Sequence, residues 1–190
     1  MTKQTFNTRM IATGAILTAI VFVLQYAGSF IRFGTFSISL VLIPIVLGAA
    51  VCNKYISSWL GFVFGIVVLL SGDAAAFLAV NAIGTIITVL LKGAACGFAA
   101  GLVYELIEKK NRYVATILAA IICPVVNTGI FLGGCRVFFF DTVREWANGG
   151  NVFVYMIVGL VGVNFLLELA ANVVLSPTIV RIIDVVKKKK

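Results

Sequence analysis

Long apolar runs recur along the whole chain and are separated only by short polar connections. Of the 190 residues, 62% are hydrophobic and only 12% are charged, a balance outside that of ordinary soluble domains. A helix that crosses a bilayer needs about 20 mostly apolar residues. The runs therefore predict an all-α integral membrane protein, and they leave no stretch long enough for a second, soluble domain. We expect a single membrane domain over residues 1–190.

Polar punctuation divides the sequence into six predicted spans, which would form a compact six-helix bundle. The first run is too long for a signal-peptide core and lacks a clean cleavage site, so we expect a retained helix. The second and third runs are short for a bilayer of roughly 30 Å, and they form either two full spans or one re-entrant hairpin that turns at "CNKY". The predicted spans are about 10–30, 37–51, 55–70, 84–106, 113–140 and 152–176.

The positions of lysine and arginine predict the orientation, because cytoplasmic loops carry their excess. With the N-terminus inside, the outer side holds only Arg32 and Arg144, while Lys92 and Arg136 lie within spans. Both termini are therefore predicted to be cytoplasmic. Anionic lipid head groups explain this basic inner surface better than nucleic acid does. The inner side holds Lys3, Arg9, Lys54, Lys109, Lys110, Arg112, Arg181 and Lys187 to Lys190.

The fourth span carries two different faces in and beside "TVLLKGAACGFAAG", residues 88–101. Glycines at every fourth position predict a ridge that another helix approaches closely, which is a packing role. A neighbouring face predicts a polar stripe that ends in a charge, provided that the helix extends far enough outward. The ridge is Gly93, Gly97 and Gly101, and the stripe is Asn81, Thr85, Thr88 and Lys92.

Lys92 lies too deep in its span to be an ordinary interfacial residue. An ionisable group at such depth usually faces the bundle interior, where it is paired or lines a water-filled cavity. Lys92 therefore either contacts an anionic or carbonyl group of a bound solute or pairs with Glu168 of the last span. On that span Asn164 is a binding candidate, whereas Glu168 and Asn172 are expected to be structural.

The fifth span, "CPVVNTGIFLGGCRVFFF", places an amide near the bilayer middle, because Pro124 loosens the helix just before Asn127. Arg136 joins the same cavity only if the helix breaks at the preceding glycines; otherwise it extends outward, towards Asp141. Arg32 would add positive charge on the binding side. Aromatic side chains near the outer side supply either cavity walls or an interfacial belt. They are Phe33, Phe77, Phe138, Phe139 and Trp146.

The residue types argue against an enzyme. The chain has no histidine, and its four cysteines lack metal-ligand spacing, so we expect no metal site and no nucleophile–base pair. Walker-type phosphate-binding sequences are also missing. If the protein moves a solute uphill, the energy must come from a partner or an ion gradient.

The first span reads "RMIATGAILTAIVFVLQY", in which Ala12, Ala15 and Ala19 form a small-residue stripe suited to close helix contact. This stripe, the six spans and the later sequences "PVVNTGIFLGG" and "NFLLELAANVVLSPTIVRII" together resemble the S components of energy-coupling factor (ECF) transporters. These are small substrate-binding subunits for vitamin uptake. The resemblance covers nearly the whole chain.

The resemblance implies a vitamin-binding cavity on the outer side, formed by outer loops and the outer halves of helices four to six. It also implies that the alanine stripe contacts a transmembrane T component coupled to two cytoplasmic ATPases. ATP is then used by those partners, and this chain binds no cofactor. Lys92, Asn127 and Asn164 would surround the solute.

The positive charge on the binding side favours an anionic vitamin such as pantothenate or a folate. Riboflavin, a pyrimidine precursor of thiamine and a queuosine precursor stay open. The competing class is a stand-alone ion- or proton-coupled secondary transporter, in which Lys92 and Glu168 form the ion-linked pair. The absence of an inverted repeat of broken helices in the sequence disfavours that class.

Overall fold

The computed structural model of the chain describes residues 8–29, 32–33, 36–37 and 40–188, with side chains described for 8–29 and 40–185. Lys3, Lys189 and Lys190 lie outside the described residues. The last helix runs without interruption from Val152 to Lys188 and contains a π-helical segment between two α-helical parts. In chain order the elements are α1 (Thr8–Gly28), β1 (Arg32–Phe33), β2 (Phe36–Ser37), α2 (Leu42–Val51), α3 (Lys54–Leu70), α4 (Ala75–Val80), α5 (Ala82–Ile107), α6 (Arg112–Phe138), α7 (Phe140–Trp146), α8 (Val152–Val154), the π-helical segment Tyr155–Gly162 and α9 (Val163–Lys188).

Within the described residues, four helices are long and apolar enough to cross a membrane. They fit an α-helical membrane protein and correspond to the predicted first, fourth, fifth and sixth spans. They are Thr8–Gly28, Ala82–Ile107, Arg112–Phe138 and Val152–Val185.

The two remaining predicted spans correspond to shorter apolar helices. At 1.5 Å per residue, the 10 residues of α2 cover about 15 Å and the 17 residues of α3 about 25 Å. A tight connection at Cys52 and Asn53 separates them. Full crossing by both helices, and hence the count of six spans, stays a prediction.

Asparagine side chains set the starts of four helices. Each asparagine precedes the first helical residue and accepts a hydrogen bond from a backbone N–H in the first turn, which satisfies a donor that the helix cannot. In "VNAI" the oxygen of Asn81 accepts from Gly84 N at 2.9 Å, so α5 begins at Ala82. The other three caps are Asn53, Asn111 and Asn151.

The predicted outer connections contain regular structure that the sequence did not indicate. β1 and β2 form a two-stranded antiparallel hairpin, with Arg32 opposite Ser37. The second connection contains α4 and the third contains α7. We name the end of the bundle where α5 begins and α6 ends the outer end, following the predicted orientation.

Helix α5 lies at the centre of the bundle, packed against α3 on one side and α6 on the other. Its glycine ridge lies against α3. An added Cβ on Gly93 would overlap the carbonyl oxygen of Gly61, and one on Gly97 would overlap that of Ser57. The contact continues inward to Lys54, whose ammonium bonds Glu105 at 2.8 Å. The two backbones therefore touch directly along several turns.

Two apolar clusters fill the bundle. The larger occupies most of its length and includes Leu60, Cys96 and Cys123. The smaller lies at the outer end and joins α4, α6, α7 and the π-helical segment around Phe77 and Phe139. Residues of both clusters line one cavity, which therefore lies where the two clusters meet.

We predict that Gly93→Ala destabilises the protein, because the new methyl group has no room against the α3 backbone. Overpacking of this kind costs about 1–3 kcal/mol. Gly133→Ala is the matched control: it lies on α6, where an added Cβ meets nothing within 4 Å. Thermal unfolding in detergent should show a lower Tm for Gly93→Ala and an unchanged or higher Tm for Gly133→Ala. Equal melting temperatures would contradict this packing.

Candidate functional site

The cavity between the two clusters has a volume of about 90 Å³. A single water needs roughly 10–15 Å³ on this measure, so the cavity has room for several water-sized groups. Its wall is mainly apolar, with polar side chains from α1, α5, α6 and α9 and from the connection between α3 and α4. An apolar pocket with a few convergent polar groups is the common form of a small-molecule site.

Lys92 lines this cavity from α5. It lies ten residues inward of Ala82, which is about 15 Å along the helix. Its ammonium lies 5.6 Å from the ring centroid of Phe64 and 5.4 Å from that of Phe131, within the range of cation–π attraction. Among the described residues it makes no ion pair or hydrogen bond. The charge is thus directed at the cavity with aromatic faces beside it.

Three further polar atoms of the cavity residues are buried without a hydrogen-bond partner in the described structure. They are Thr88 Oγ1, Asn127 Oδ1 and Asn164 Oδ1. Most buried polar atoms are paired, and leaving one unpaired costs about 1–3 kcal/mol. These atoms belong to three different helices, α5, α6 and α9. A polar molecule in the cavity would supply the missing partners.

The cavity also carries two carboxylates. Asp73 contributes from the connection between α3 and α4, and Glu168 contributes from α9, where it is 8% exposed. Gln25 Nε2 of α1 donates to Asp73 Oδ2 at 2.8 Å, and Ser71 Oγ donates to the same oxygen at 3.2 Å. These two donors fix the orientation of the Asp73 side chain, so the wall holds both signs of charge.

Sequence reasoning missed Gln25 and Asp73 as site residues. Both gave a usable signal: Gln25 is an amide inside the first apolar run, and Asp73 is the first acidic residue of the chain. The pattern did not show that they meet, because 48 residues separate them. Glu168, expected to be structural, also lines the cavity.

The structure brings Lys92 and Glu168 to the same cavity without an ion pair to Lys92. A straight-helix count would place Glu168 far deeper than Lys92. The π-helical segment Tyr155–Gly162 lies outward of Glu168, and its i→i+5 bonds place more residues in each turn than an α-helix does. A regular α-helical count therefore does not apply through this segment.

Phe77 lies at the outer end of the cavity, buried to 4% exposure. Its ring makes edge contacts with Phe131, Phe139 and Trp146 at centroid distances of 5.5, 5.0 and 5.4 Å. Phe139 and Phe131 also line the cavity, whereas Trp146 supports Phe77 from behind. Of the predicted aromatic walls, Phe77 and Phe139 therefore reach the cavity.

Four predicted site residues do not reach the cavity wall. Asn81 caps α5 instead of continuing its polar stripe. Phe138 packs against Gly84 and is 38% exposed. Trp146 lies behind Phe77. Arg136 is exposed, with its guanidinium carbon 4.1 Å from the ring centroid of Phe140.

The position of Arg136 favours the outward alternative, with Phe140 rather than Asp141 as the observed contact. α6 continues unbroken through Gly133 and Gly134, so the helix break that would turn Arg136 inward does not form. Arg32 lies on β1, and its side chain is outside the described part of the structure, as is that of Phe33.

The alanine stripe of α1 lies away from the cavity. Ala12, Ala15 and Ala19 are all exposed on the bundle surface, while Gln25 on the buried side of the same helix lines the cavity. Exposed apolar neighbours such as Ile16 extend this surface. Helix α1 therefore has one face towards the cavity and one available to lipid or to another helix.

Comparison with known proteins identifies one family. The model for the ECF transporter substrate-specific component matches residues 9–180, which span α1 to most of α9. Comparison with curated proteins and with solved structures gives no match. The family match covers nearly the whole chain and agrees with the apolar helices and the cavity between them. The protein therefore belongs to the family of ECF transporter substrate-specific components.

Proposed function

We propose that the protein is the high-affinity solute-binding subunit of an ECF-type ABC importer for a water-soluble vitamin or related precursor. The observation that supports this most is the cavity, where Lys92 faces inward without an ion pair, beside the unpaired atoms of Thr88, Asn127 and Asn164. Charge and unmet hydrogen bonds in a mainly apolar cavity suit a small polar solute.

The family supports the rest of the assembly. A substrate-specific component is a transport subunit rather than an enzyme, and it works with a transmembrane T component and two cytoplasmic ATPases. We propose that these partners use the ATP and that this chain binds no cofactor of its own. The family supports a location in the bacterial plasma membrane, and the charge distribution supports both termini in the cytoplasm.

The position of Lys92 favours a solute whose anionic or carbonyl group lies at the inner end of the cavity. Pantothenate and folates carry such groups, as their carboxylates would accept from the ammonium. The rings of Phe77 and Phe139 would cover an apolar part of the solute near the outer end.

The exposed alanine stripe of α1 is the proposed contact for the T component. Small side chains let two helix backbones approach closely within a membrane. Ala12, Ala15 and Ala19 share one exposed face, and this face does not overlap the cavity. Solute binding and partner contact are thus separable by substitution.

The transport assignment is tested by reconstitution in vesicles. We expect solute uptake only when the chain is combined with its T component and ATPases and supplied with ATP. Uptake by this chain alone, driven by an ion gradient, would contradict the proposal and favour a secondary transporter.

We predict that Ala15→Trp and Ala19→Trp each reduce ATP-driven uptake by about tenfold or more, equivalent to losing some 1.4 kcal/mol of helix contact. The affinity for solute should stay within about twofold, since the stripe lies off the cavity. Ala170→Trp is the matched control: it makes the same change at an exposed alanine of α9. Loss of solute binding in the α1 variants would show that this face is not a partner surface.

We predict that Lys92→Met weakens solute binding by about 10- to 100-fold, because a charge-assisted hydrogen bond contributes roughly 1.5–3 kcal/mol. Isothermal titration in detergent measures the affinity. Arg144→Met removes a charge from an exposed residue outside the cavity and should bind normally. A Lys92→Met protein that misfolds would instead support an internal structural role for the lysine.

A further inference from the structure

We propose that the solute is amphoteric. One of its ends carries an anionic or carbonyl group that contacts Lys92, and another part carries a cationic or amino group that contacts the carboxylates of Asp73 and Glu168. This proposal rests on the proposed function and narrows its substrate class. It removes solutes that are purely anionic, such as pantothenate, from the candidates.

The first support is the balance of charge on the cavity wall. The described lining holds one cation, Lys92, and two carboxylates, Asp73 and Glu168. Charges within a few ångströms interact more strongly in a mainly apolar cavity than in water. An anion drawn in by Lys92 alone would lie in the field of both carboxylates, and a simple cation would lie in the field of Lys92. A solute with both kinds of group gains from all three residues.

The second support is that two hydrogen bonds orient the Asp73 carboxylate. Gln25 from α1 and Ser71 from the start of the same connection both donate to Asp73 Oδ2. A carboxylate fixed by two donors on a cavity wall is pre-organised, which lowers the entropic cost of using it in recognition. A site built for anions alone would gain nothing from holding a negative group in place there.

The third support is the separation of the charged groups among different elements. Lys92 projects from α5, Glu168 from α9 and Asp73 from the connection at the outer end. The unpaired atoms of Asn127 and Asn164 lie on the same wall. This arrangement surrounds a molecule with acceptors and donors on several sides, as polar heterocycles with amino and carboxyl or carbonyl groups require.

The test measures whether removing each charge weakens or strengthens solute binding. The probe is the solute that co-purifies with the wild-type protein, extracted after denaturation and identified by mass spectrometry. We expect it to contain both a cationic or amino group and an anionic or carbonyl group. Its affinity is then measured for Asp73→Asn, Glu168→Gln and Lys92→Met. Glu145→Gln is the matched control, since it neutralises an exposed carboxylate outside the cavity.

An amphoteric solute predicts that all three cavity variants bind more weakly, by about 10- to 100-fold each, while Glu145→Gln binds normally. Tighter binding by Asp73→Asn and Glu168→Gln would show a purely anionic solute and overturn the proposal. Tighter binding by Lys92→Met would show a purely cationic one, with the same consequence. If a cavity variant does not fold, the chemical identity of the extracted solute still decides between these outcomes.

This result is distinguishable from failure of the proposed function. A co-purifying anion that is imported with ATP and the partner subunits would leave the transport assignment intact and overturn only the amphoteric class. A protein that binds no small solute and supports no ATP-dependent uptake would overturn both.

Discussion

The direct contact of the α3 and α5 backbones is the constraint on which the rest of the structure depends. Gly61, Gly93 and Gly97 have no side chains that would hold the two helices apart. The neighbouring residue Lys92 is thereby fixed in rotation, because the glycine face of α5 must lie against α3. With one face of α5 committed to packing, its charged face is directed at the cavity. A lysine in lipid is costly, yet one that faces a cavity with other polar groups can be retained.

The sequence predicted the parts of this structure that depend on local pattern. Apolar run lengths located the four long helices, and helical spacing located Lys92, Asn127 and Asn164, which all line the cavity. The glycine ridge was also readable, because its repeat is periodic. These features need only the geometry of a single helix, so a sequence is enough to find them.

What the sequence did not show depends on contacts between distant segments or on small changes in helix geometry. Asn81 continues a helical stripe by spacing but caps α5, because a side-chain oxygen is available where the first N–H groups lack partners. Asp73 became a site residue only through the fold that brings Gln25 to it. Lys92 and Glu168 line the same cavity, and the π-helical segment outward of Glu168 departs from the regular α-helical rise on which a residue count relies. Arg136 turned outward because α6 stays intact.

The hydrogen bond from Gln25 to Asp73 connects helix α1 to the cavity wall. Helix α1 carries Gln25 on its buried side and Ala15 and Ala19 on its exposed side. A movement of the connection that holds Asp73 would change the geometry of this bond or move α1, unless the two side chains rotate to follow it. The surface that meets lipid or a neighbouring helix is thus physically joined to the wall of the cavity. If Asp73 takes different positions in the solute-bound and the solute-free protein, the exposed face of α1 would also differ, although the solute does not contact that face.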